Sequence, residues 1–469
     1  MDSWPAVDVP DLPGSGPEPV IWDTASRSLV IAAPGSTATL YACGITPYDA
    51  THVGHAATYL AWDLLVRAWL DAGKKVIYAQ NVTDVDDPLL ERANRDHENW
   101  RALADREIAL FRSDMTALRV LPPSYFIGAV EALPLIRDFN GRLAERDALY
   151  EVDDDVYFSR AADAAFGSVS GLDSDAMMQL CADNGGDPAR PGKKDPVDPL
   201  VWLARRPGEP SWPSQFGAGR PGWHVECAAI ATHYLGVTFD VQAGGRDLIF
   251  PHHEMSAAHA RVALDGAGES PFARRYAHSA LVRLHGEKMS KSRGNLVFVS
   301  RLLAEGHDPM AIRLAIIAHP YRSDWDWTPQ ALSAAATRLA AWRAAVRAAG
   351  PAGALSSTGA ASSAGGQSSG SGQPSAAGES AAAQASAGAV GSAPPAVGAA
   401  AAGAADAEAG GAVGAATLAA IRERLADDLD ARGAIAAVDE WAAEAAGGRA
   451  AGSGALIRDA VDALLGIAL

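Results

Sequence analysis

Two histidines and a glycine form a His-Val-Gly-His motif of a kind that could bind a phosphate chain. An alternating run over residues 37–41 predicts a strand, and a helical stretch begins after a turn rich in glycine and proline. The N–H groups of a helix N-terminus attract anions, His52 and His55 can donate to phosphate oxygens, and Gly54 leaves the backbone open to a nucleotide. A helix cap with two surface histidines is the alternative, which this motif alone leaves open.

A basic, hydroxyl-rich segment, Lys288-Met289-Ser290-Lys291-Ser292, lies far downstream of the His motif. Two lysines among serines suit a mobile loop that closes over a polyphosphate and neutralises the charge that develops on a leaving group. Lys288 and Lys291 therefore join the two histidines as candidate catalytic residues. The alternative is a solvated basic loop, which is the commoner fate of such a pentapeptide.

Cysteine and histidine side chains on separate segments could hold a metal ion. Cys43, Cys227 and one of the paired histidines at 252 and 253 are soft or borderline donors of the kind that zinc binds. A catalytic zinc keeps three protein ligands and an open fourth position. The chain has three cysteines, an odd number that favours free thiols or metal ligands in a reducing compartment over a disulfide framework. Because no short ligand-pair motif is present, buried structural cysteines remain the alternative.

These residues need a sheet to bring them together. After the His motif, a helix is predicted with Trp62, Leu65 and Trp69 on one face, followed by a strand over residues 75–81. Strand, helix and strand form a βαβ crossover, which predicts a parallel sheet. The polar residues 80–87 then lie at its carboxyl edge, where ligands of such folds bind, although a plain helix cap would also explain them.

The bulk properties describe a large, acidic chain. With 469 residues, of which 48% are hydrophobic, it can bury the cores of two or three domains. It has no run of about 18 apolar residues and no signal-peptide pattern, so we expect a cytoplasmic protein without a membrane partner. The net charge of −17 disfavours a long polyanion as a partner, since polyanion binding needs a basic surface that releases counterions.

The order of predicted elements divides the chain into a sheet domain, an insertion and a helical C-terminal part. The expected units are the first half of the sheet domain (1–123), the insertion (124–205), the second half of the sheet domain (206–270), a linking region with the Lys motif (271–315) and a helical domain (316–469). Residues 350–415 consist almost wholly of Ala, Gly, Ser, Pro and Gln, which predicts a flexible tether within the helical domain.

Together, the His and Lys motifs resemble the paired signatures of class I aminoacyl-tRNA synthetases. That resemblance implies an α/β fold with a Rossmann-like parallel sheet, an inserted connective domain and a C-terminal helical bundle. Residues 43–49, 81–87, 219–227 and 244–254 extend it to cysteinyl-tRNA synthetases and to their shorter relatives, the cysteine ligases of the mycothiol pathway. The block from Cys43 to His52 and the Gly-Gly-Asp-Pro element at 185–188 resemble the ligases more closely.

The resemblance also implies a metal site with one zinc ion per chain. Its ligands would be Cys43, Cys227 and His252. Cysteinyl-tRNA synthetases carry a glutamate four residues after that histidine, where this chain has Ser256, so three ligands remain and the thiolate of a cysteine substrate has room. Zinc binds a soft sulfur better than a hydroxyl, which would distinguish cysteine from serine. His253 and Glu254 are candidates to orient the histidine ligand.

A two-step reaction follows from the same resemblance. ATP, with Mg²⁺, would activate cysteine as its adenylate, and the amine of glucosaminyl-inositol would then attack to give an amide and AMP. Catalysis would fall to His52, His55, Lys288 and Lys291, with the lysines stabilising pyrophosphate. Contacts to ATP or the adenylate would come from Cys43, Gly44, Ile45, Thr46, Thr58, Asn81, Val82, Thr83, Trp223, Gly245, Arg246, Asp247 and Val282. Arg246 departs from the family, where a small residue is usual.

A cysteinyl-tRNA synthetase is the alternative activity, and an inactive binding module or a related nucleotidyltransferase is a more distant one. The acidic balance, Ser256 and the lack of a folded unit after residue 469 disfavour tRNA. We therefore expect a monomer that acts on ATP, cysteine and the aminosugar. A pocket beside the adenylate would hold the aminosugar, with a lining drawn from His55, Asp84, Asp87 or the loop at 184–187.

Overall fold

The computed structural model describes residues 1–265, 272–289, 294–350 and 397–469. The strands are β1 (Val20–Asp23), β2 (Ser28–Ile31), β3 (Thr37–Ala42), β4 (Lys75–Val82), β5 (Tyr125–Gly128), β6 (Leu149–Val152), β7 (Asp155–Phe158), β8 (Leu200–Ala204), β9 (Trp212–Ser214), β10 (Gly217–Pro221), β11 (Thr238–Gly245), β12 (Phe272–Ser279), β13 (Val282–Leu284), β14 (Glu287–Lys288) and β15 (Trp325–Asp326). The α-helices are α1 (Val53–Asp71), α2 (Asp87–Arg95), α3 (Trp100–Ala117), α4 (Leu133–Glu145), α5 (Ser174–Asp183), α6 (Trp223–Leu235), α7 (Glu254–Ala263), α8 (Val299–Ala304), α9 (Pro309–Ile317), α10 (Pro329–Ala348), α11 (Val397–Ala426), α12 (Ala431–Ala446) and α13 (Gly454–Leu465).

Five parallel strands form the central sheet in the order β12-β11-β3-β4-β5. The chain begins this sheet in its middle, moves outward through β4 and β5, and returns on the other side of β3 as β11 and β12. This is the strand order of the doubly wound, Rossmann-like fold, so the predicted fold class is confirmed. The direction of winding reverses between β3 and β11, and ligands of such sheets bind beyond the carboxyl ends of the strands at that point.

Helix α1 is buried along most of its length because it has neighbours on two sides. Trp62, Leu65 and Trp69 pack in one apolar cluster with residues of β3 and β11, as the predicted helix face required. Leu60 and Leu64 belong to a second cluster, which they share with the C-terminal helices. The helix therefore joins the central sheet to the helical part of the chain.

The insertion is a five-stranded antiparallel sheet in the order β6-β7-β8-β10-β9. Its bounds differ from the expected 124–205 at both ends. Residues 125–128 form β5 at the edge of the central sheet, and the inserted sheet continues through β10 to Pro221. β5 has only four residues and follows two prolines, so the sequence pattern did not predict it. β9 and β10 were not predicted because they contain proline and glycine, which are poor strand formers.

The C-terminal helices pack as a bundle, with contacts of α10 to α9 and α12 and of α11 to α12 and α13. The flexible tether expected over 350–415 is wrong for residues 397–415, which belong to α11; residues 351–396 lie outside the described ranges. Alanine has the highest helix propensity, and Leu418, Ile421 and Leu425 of the same helix pack in the core, so the helix extends back from a packed end. None of the helices in the described ranges has the length and apolar character needed to cross a bilayer.

A buried ion cluster fixes α1 to the bundle. The Asp63 carboxylate accepts from Arg67 Nε at 2.8 Å and from the backbone N of Leu121 at 2.7 Å, and it also contacts the Arg313 guanidinium. Arg313 donates to the carbonyl of Leu465 at 2.6 Å, at the end of α13. Burial alone would raise the pKa of Asp63, but the two guanidinium groups outweigh it and the pKa is lowered.

We expect Asp63→Asn to destabilise the protein by about 3 kcal/mol or more, since two buried guanidinium groups lose their counter-charge. Urea unfolding monitored by circular dichroism would measure the loss. As a control, Glu305→Gln removes an exposed ion pair with Arg301 and should cost no more than about 0.5 kcal/mol. Because the folded-state pKa of Asp63 is lowered, its contribution is complete above about pH 4 and declines as the pH falls through the folded value. Equal stability of the Asp63→Asn variant and the wild type would contradict this account.

Candidate active site and metal centre

The carboxyl ends of β3 and β11 bring the three predicted metal ligands together. Cys43 follows β3, and its backbone N donates to the carbonyl of Ala243 in β11 at 3.0 Å. Cys227 lies in the first turns of α6, and His252 lies between β11 and α7. The two sulfurs are 4.0 Å apart, and His252 Nε2 is 3.2 Å from Cys227 Sγ. All three side chains are buried, and their donor atoms lie within 4.8 Å of one another.

This donor set fits zinc. A tetrahedral zinc with ordinary bond lengths separates two sulfurs by about 3.8 Å and a sulfur from a nitrogen by about 3.6 Å, close to the observed distances. A metal-binding imidazole must be neutral, and burial holds the pKa of His252 well below its usual value. Burial also raises the pKa of Cys227, so this thiol sits where a bound cation is needed to stabilise its thiolate.

Two residues of α6 that are not predicted metal ligands, His224 and Trp223, hold His252 in place. His224 Nδ1 lies 3.0 Å from His252 Nδ1, on the side of the ring away from Cys227. The Trp223 ring stacks on the imidazole with centroids 4.2 Å apart. Ser256 donates its hydroxyl to the carbonyl of His224 at 2.9 Å. His224 was not among the predicted site residues, although it stands three residues before Cys227 and therefore shares its side of the helix.

A chain of polar contacts connects Cys43 to His253, His278 and Thr24. His253 Nε2 is 3.2 Å from Cys43 Sγ, and its Nδ1 is 2.8 Å from His278 Nε2. His278 Nδ1 in turn lies 2.7 Å from the hydroxyl of Thr24. His253 thus contacts the Cys43 ligand rather than the His252 ring that it was expected to orient, and His278 and Thr24 were not among the predicted site residues. His278 could have been found, since it lies at the carboxyl end of a parallel strand.

Glu254 takes no part in this chain of polar contacts. Its Oε2 accepts from the backbone N of Val169 at 3.1 Å and of Ser170 at 2.8 Å, and from the Ser170 hydroxyl at 3.0 Å. The carboxylate thus anchors a segment of the insertion, and His224 rather than Glu254 contacts the second nitrogen of His252.

The His motif forms the N-terminus of α1. His52 is the N-cap, and its Nδ1 accepts from the backbone N of His55 at 3.3 Å. The two rings are stacked with centroids 3.8 Å apart. A Cβ on Gly54 would lie 2.8 Å from His52 Cε1, so only glycine admits this ring position. Burial lowers the pKa of His55, although Asp247 and Asp49 act in the opposite direction, so its imidazole is a neutral donor near pH 7.

The segment after the Lys motif is joined to this turn. The backbone N of Val53 donates to Val297 O at 2.8 Å, and the backbone N of Val299 donates to Thr51 O at 2.9 Å. Lys288 ends β14, whose backbone pairs with β13, and Lys291 lies outside the described residues. Residues 297–299, which follow the Lys motif in the sequence, therefore lie beside the His motif.

The remaining predicted contacts surround the turn after β3. Asn81 Oδ1 accepts from Gly44 N at 2.8 Å, and Asn81 Nδ2 donates to the Thr83 hydroxyl at 3.2 Å. A Cβ on Gly44 would lie 1.5 Å from the carbonyl oxygen of Asn81, so this approach requires glycine. Thr83 N donates to Ile45 O at 3.0 Å, while the Val82 side chain is buried in the core.

The hydroxyls of Thr58 in α1 and Ser279 at the end of β12 lie 2.7 Å apart. Ser279 pairs with Gly245, the last residue of β11. Arg246 and Asp247 form a short 3₁₀ turn after that strand. The Arg246 guanidinium pairs with Asp324 at 2.5 Å and so joins the strand end to the loop before β15. Val282 is buried in β13, which pairs with β15.

A cleft of about 660 Å³ opens beside the metal-ligand cluster. Its lining includes Thr46 and Trp223 together with Asp87 and the loop at 184–187. Two other residues considered for an acceptor pocket lie elsewhere. His55 belongs to the His motif, and the Asp84 carboxylate accepts from Val130 N at 2.9 Å, with a pKa that burial raises to about 6.

We expect the purified protein to contain about one zinc ion per chain and Cys227→Ala to contain almost none, since binding at this site needs all three donors. Elemental analysis after dialysis would measure the metal. Cys181→Ala is the matched control, because Cys181 is also buried but packs in a separate apolar cluster with Met177 and Phe250. Full zinc occupancy in Cys227→Ala would rule out this ligand set.

The chain is similar to a family of synthetase domains and to two full-length ligases. The family model described as tRNA synthetases class I (C) catalytic domain matches residues 31–337. The L-cysteine:1D-myo-inositol 2-amino-2-deoxy-alpha-D-glucopyranoside ligase of Thermomonospora curvata is 53% identical, with 100% of each chain covered. The protein of the same name from Streptomyces griseus is 51% identical, again over 100% of each chain.

Among solved structures, the Mycobacterium tuberculosis methionyl-tRNA synthetase in complex with methionyl-adenylate matches with a TM-score of 0.58, at 16% identity and 92% coverage of each chain. A likeness at this identity supports the fold. The full-length identity to the two ligases establishes that the chain belongs to the L-cysteine:1D-myo-inositol 2-amino-2-deoxy-alpha-D-glucopyranoside ligase family.

Proposed function

We propose that the protein is a ligase that joins the carboxyl group of L-cysteine to the amine of glucosaminyl-inositol, through a cysteinyl-adenylate, in mycothiol biosynthesis. The observation that carries the proposal is the buried Cys43, Cys227 and His252 cluster at the winding reversal of the sheet. A thiol-selective site there distinguishes this chain from synthetases that activate other amino acids. The identity to full-length relatives named as this ligase supports the acceptor.

The first step forms the adenylate. The phosphates of ATP, with Mg²⁺, lie on the N-terminus of α1, where the imidazoles of His52 and His55 can donate to the phosphate oxygens. The cysteine carboxylate bonds to the α-phosphorus, and the bond to the β-phosphate oxygen breaks, releasing pyrophosphate. Lys288 and Lys291 neutralise the charge that develops on that leaving group.

Cysteine selection falls to the cluster beside this turn. A zinc ion held by the three ligands would supply a bond to sulfur that a serine hydroxyl forms poorly. His224 and Trp223 fix the His252 ring from two sides, so the donor set is held before substrate arrives. Asn81 and Thr83 hold the Gly44 turn at the required distance from β4.

The second step transfers the cysteinyl group. The amine nitrogen bonds to the carbonyl carbon of the adenylate, and the bond from that carbon to the phosphate oxygen breaks as AMP leaves. The cleft lined by Thr46 and Trp223 is large enough for a sugar joined to inositol and lies beside the metal-ligand cluster.

Charging of tRNA remains the competing activity, and the acidic chain disfavours it. A net charge of −17 opposes the many phosphate contacts that binding of a tRNA requires. The monomeric state and the cytoplasmic location stay predictions.

The decisive assay adds one component at a time. With ATP and cysteine alone, the protein should catalyse cysteine-dependent exchange of pyrophosphate into ATP, and serine should not replace cysteine. Addition of glucosaminyl-inositol should then release AMP and form the amide. Because the acceptor is small, the rate should change little between about 50 and 200 mM salt, a range in which polyanion binding weakens by orders of magnitude.

Bulk tRNA serves as the opposing acceptor in the same assay. Efficient cysteinylation of tRNA, with no AMP release on addition of the aminosugar, would overturn the proposal in favour of a tRNA synthetase. Absence of pyrophosphate exchange with cysteine would exclude both activities.

A further inference from the structure

The cleft beside the metal-ligand cluster has three walls from different parts of the fold. One wall is the start of α2, with Asp86 and Asp87. The second is the turn from β10 to α6, with Arg220 and Trp223. The third is the loop of the insertion at 184–187. The floor reaches Thr46, so a molecule bound in the cleft touches both the insertion and the adenylate-forming region.

The charge of the cleft favours a cation. Within the described residues, its lining holds five carboxylates and three basic side chains. The carboxylates are Asp86, Asp87, Glu91, Asp187 and Asp198, and the basic side chains are Arg190, Lys193 and Arg220. An excess of two negative charges suits an aminosugar, whose amine is protonated in water, and opposes a phosphate backbone.

The basic side chains of the cleft are already paired. Lys193 Nζ is 2.8 Å from Asp187 Oδ1, and Arg190 is 2.6 Å from Asp155, which lies in β7. The Arg220 guanidinium contacts Asp87. By contrast, no basic side chain of the described ranges lies within ion-pair distance of Asp86. Its carboxylate is the N-cap of α2, and Oδ1 accepts from Asp87 N at 2.8 Å.

Asp86 also occupies a suitable place for the reaction. It shares the cleft with Trp223, whose ring stacks on His252 of the proposed metal site. An amine that reaches Asp86 through the cleft therefore lies near the proposed metal site.

We propose that Asp86 is the catalytic residue that binds the acceptor ammonium and takes a proton from it. The inference rests on the proposed function and adds the residue that prepares the nucleophile. One proton moves from the ammonium to the Asp86 carboxylate, which leaves a neutral amine. The nitrogen lone pair then bonds to the carbonyl carbon, the electron pair of the carbon–oxygen bond leaves with AMP, and the second amine proton passes to water.

The surroundings of Asp86 are consistent with this role. Burial raises the pKa of Asp86 to about 6, and the backbone N–H of Asp87 acts in the opposite direction. The charged groups that face it are Asp87 and Glu91 on its own helix, Arg220 on β10 and Glu226 on α6. A carboxyl group with this pKa is ionised at neutral pH and is more basic than an ordinary aspartate, as a general base requires.

The test uses Asp86→Asn in the full-length protein, because asparagine keeps the N-cap hydrogen bond of α2 but cannot accept the proton. Cysteine-dependent pyrophosphate exchange should stay within about twofold of wild type, since it needs no acceptor. Amide formation from glucosaminyl-inositol at pH 7 should fall by about 100-fold or more. The variant should regain rate as the pH rises and the free amine becomes available, whereas the wild type should gain little.

Asp96→Asn is the matched control, because Asp96 caps the other end of the same helix and is paired with Arg92 and Arg95. It should leave both reactions near their wild-type rates. Wild-type amide formation by Asp86→Asn, an equal loss of exchange and amide formation, or a defect that persists at high pH would overturn the role of Asp86. Absence of amide formation by the wild type, with exchange intact, would instead overturn the proposed acceptor and the inference with it.

Discussion

The parallel pairing of β3 with β11 is the constraint on which the site depends. Two strands that are distant in sequence lie side by side there because the winding of the sheet reverses between them. Cys43 leaves β3 while bonded to Ala243 of β11, and the segments just before and just after β11 supply Cys227 and His252. The register between β3 and β11 thus determines the positions of all three donors. A slip of one residue in this register would turn Cys43 to the other face of the sheet.

Burial determines the protonation states of the side chains in the site. At the carboxyl edge of the sheet, burial lowers the pKa of His252 and His253, so their imidazoles are neutral and can serve as ligands or hydrogen-bond partners. Toward the cleft, burial raises the pKa of the Asp86 carboxyl group at the start of α2 to about 6. The linking region is tied to the same place by the backbone pairing of residues 297–299 with 51–53.

Much of this was accessible from the sequence, and the failures have physical causes. Strand alternation, the helix face of Trp62 and Trp69 and the paired motifs predicted the α/β fold, because local pattern and tertiary burial agree there. Positions set by long-range contact were missed, including His224 against His252 and the edge strand β5. The expected tether over 397–415 failed because packing of one end of α11 extends a helix through alanine-rich sequence that composition alone assigns to disorder.

The central claim is that the cluster at the winding reversal selects cysteine through its sulfur. X-ray absorption at the zinc edge of the purified protein tests it directly. Without substrate, the spectrum should fit two sulfur ligands with the remaining positions filled by nitrogen or oxygen. Addition of cysteine should raise the sulfur count by one, and serine should leave it unchanged. A spectrum that does not respond to cysteine, or a metal without two sulfur ligands, would contradict the account.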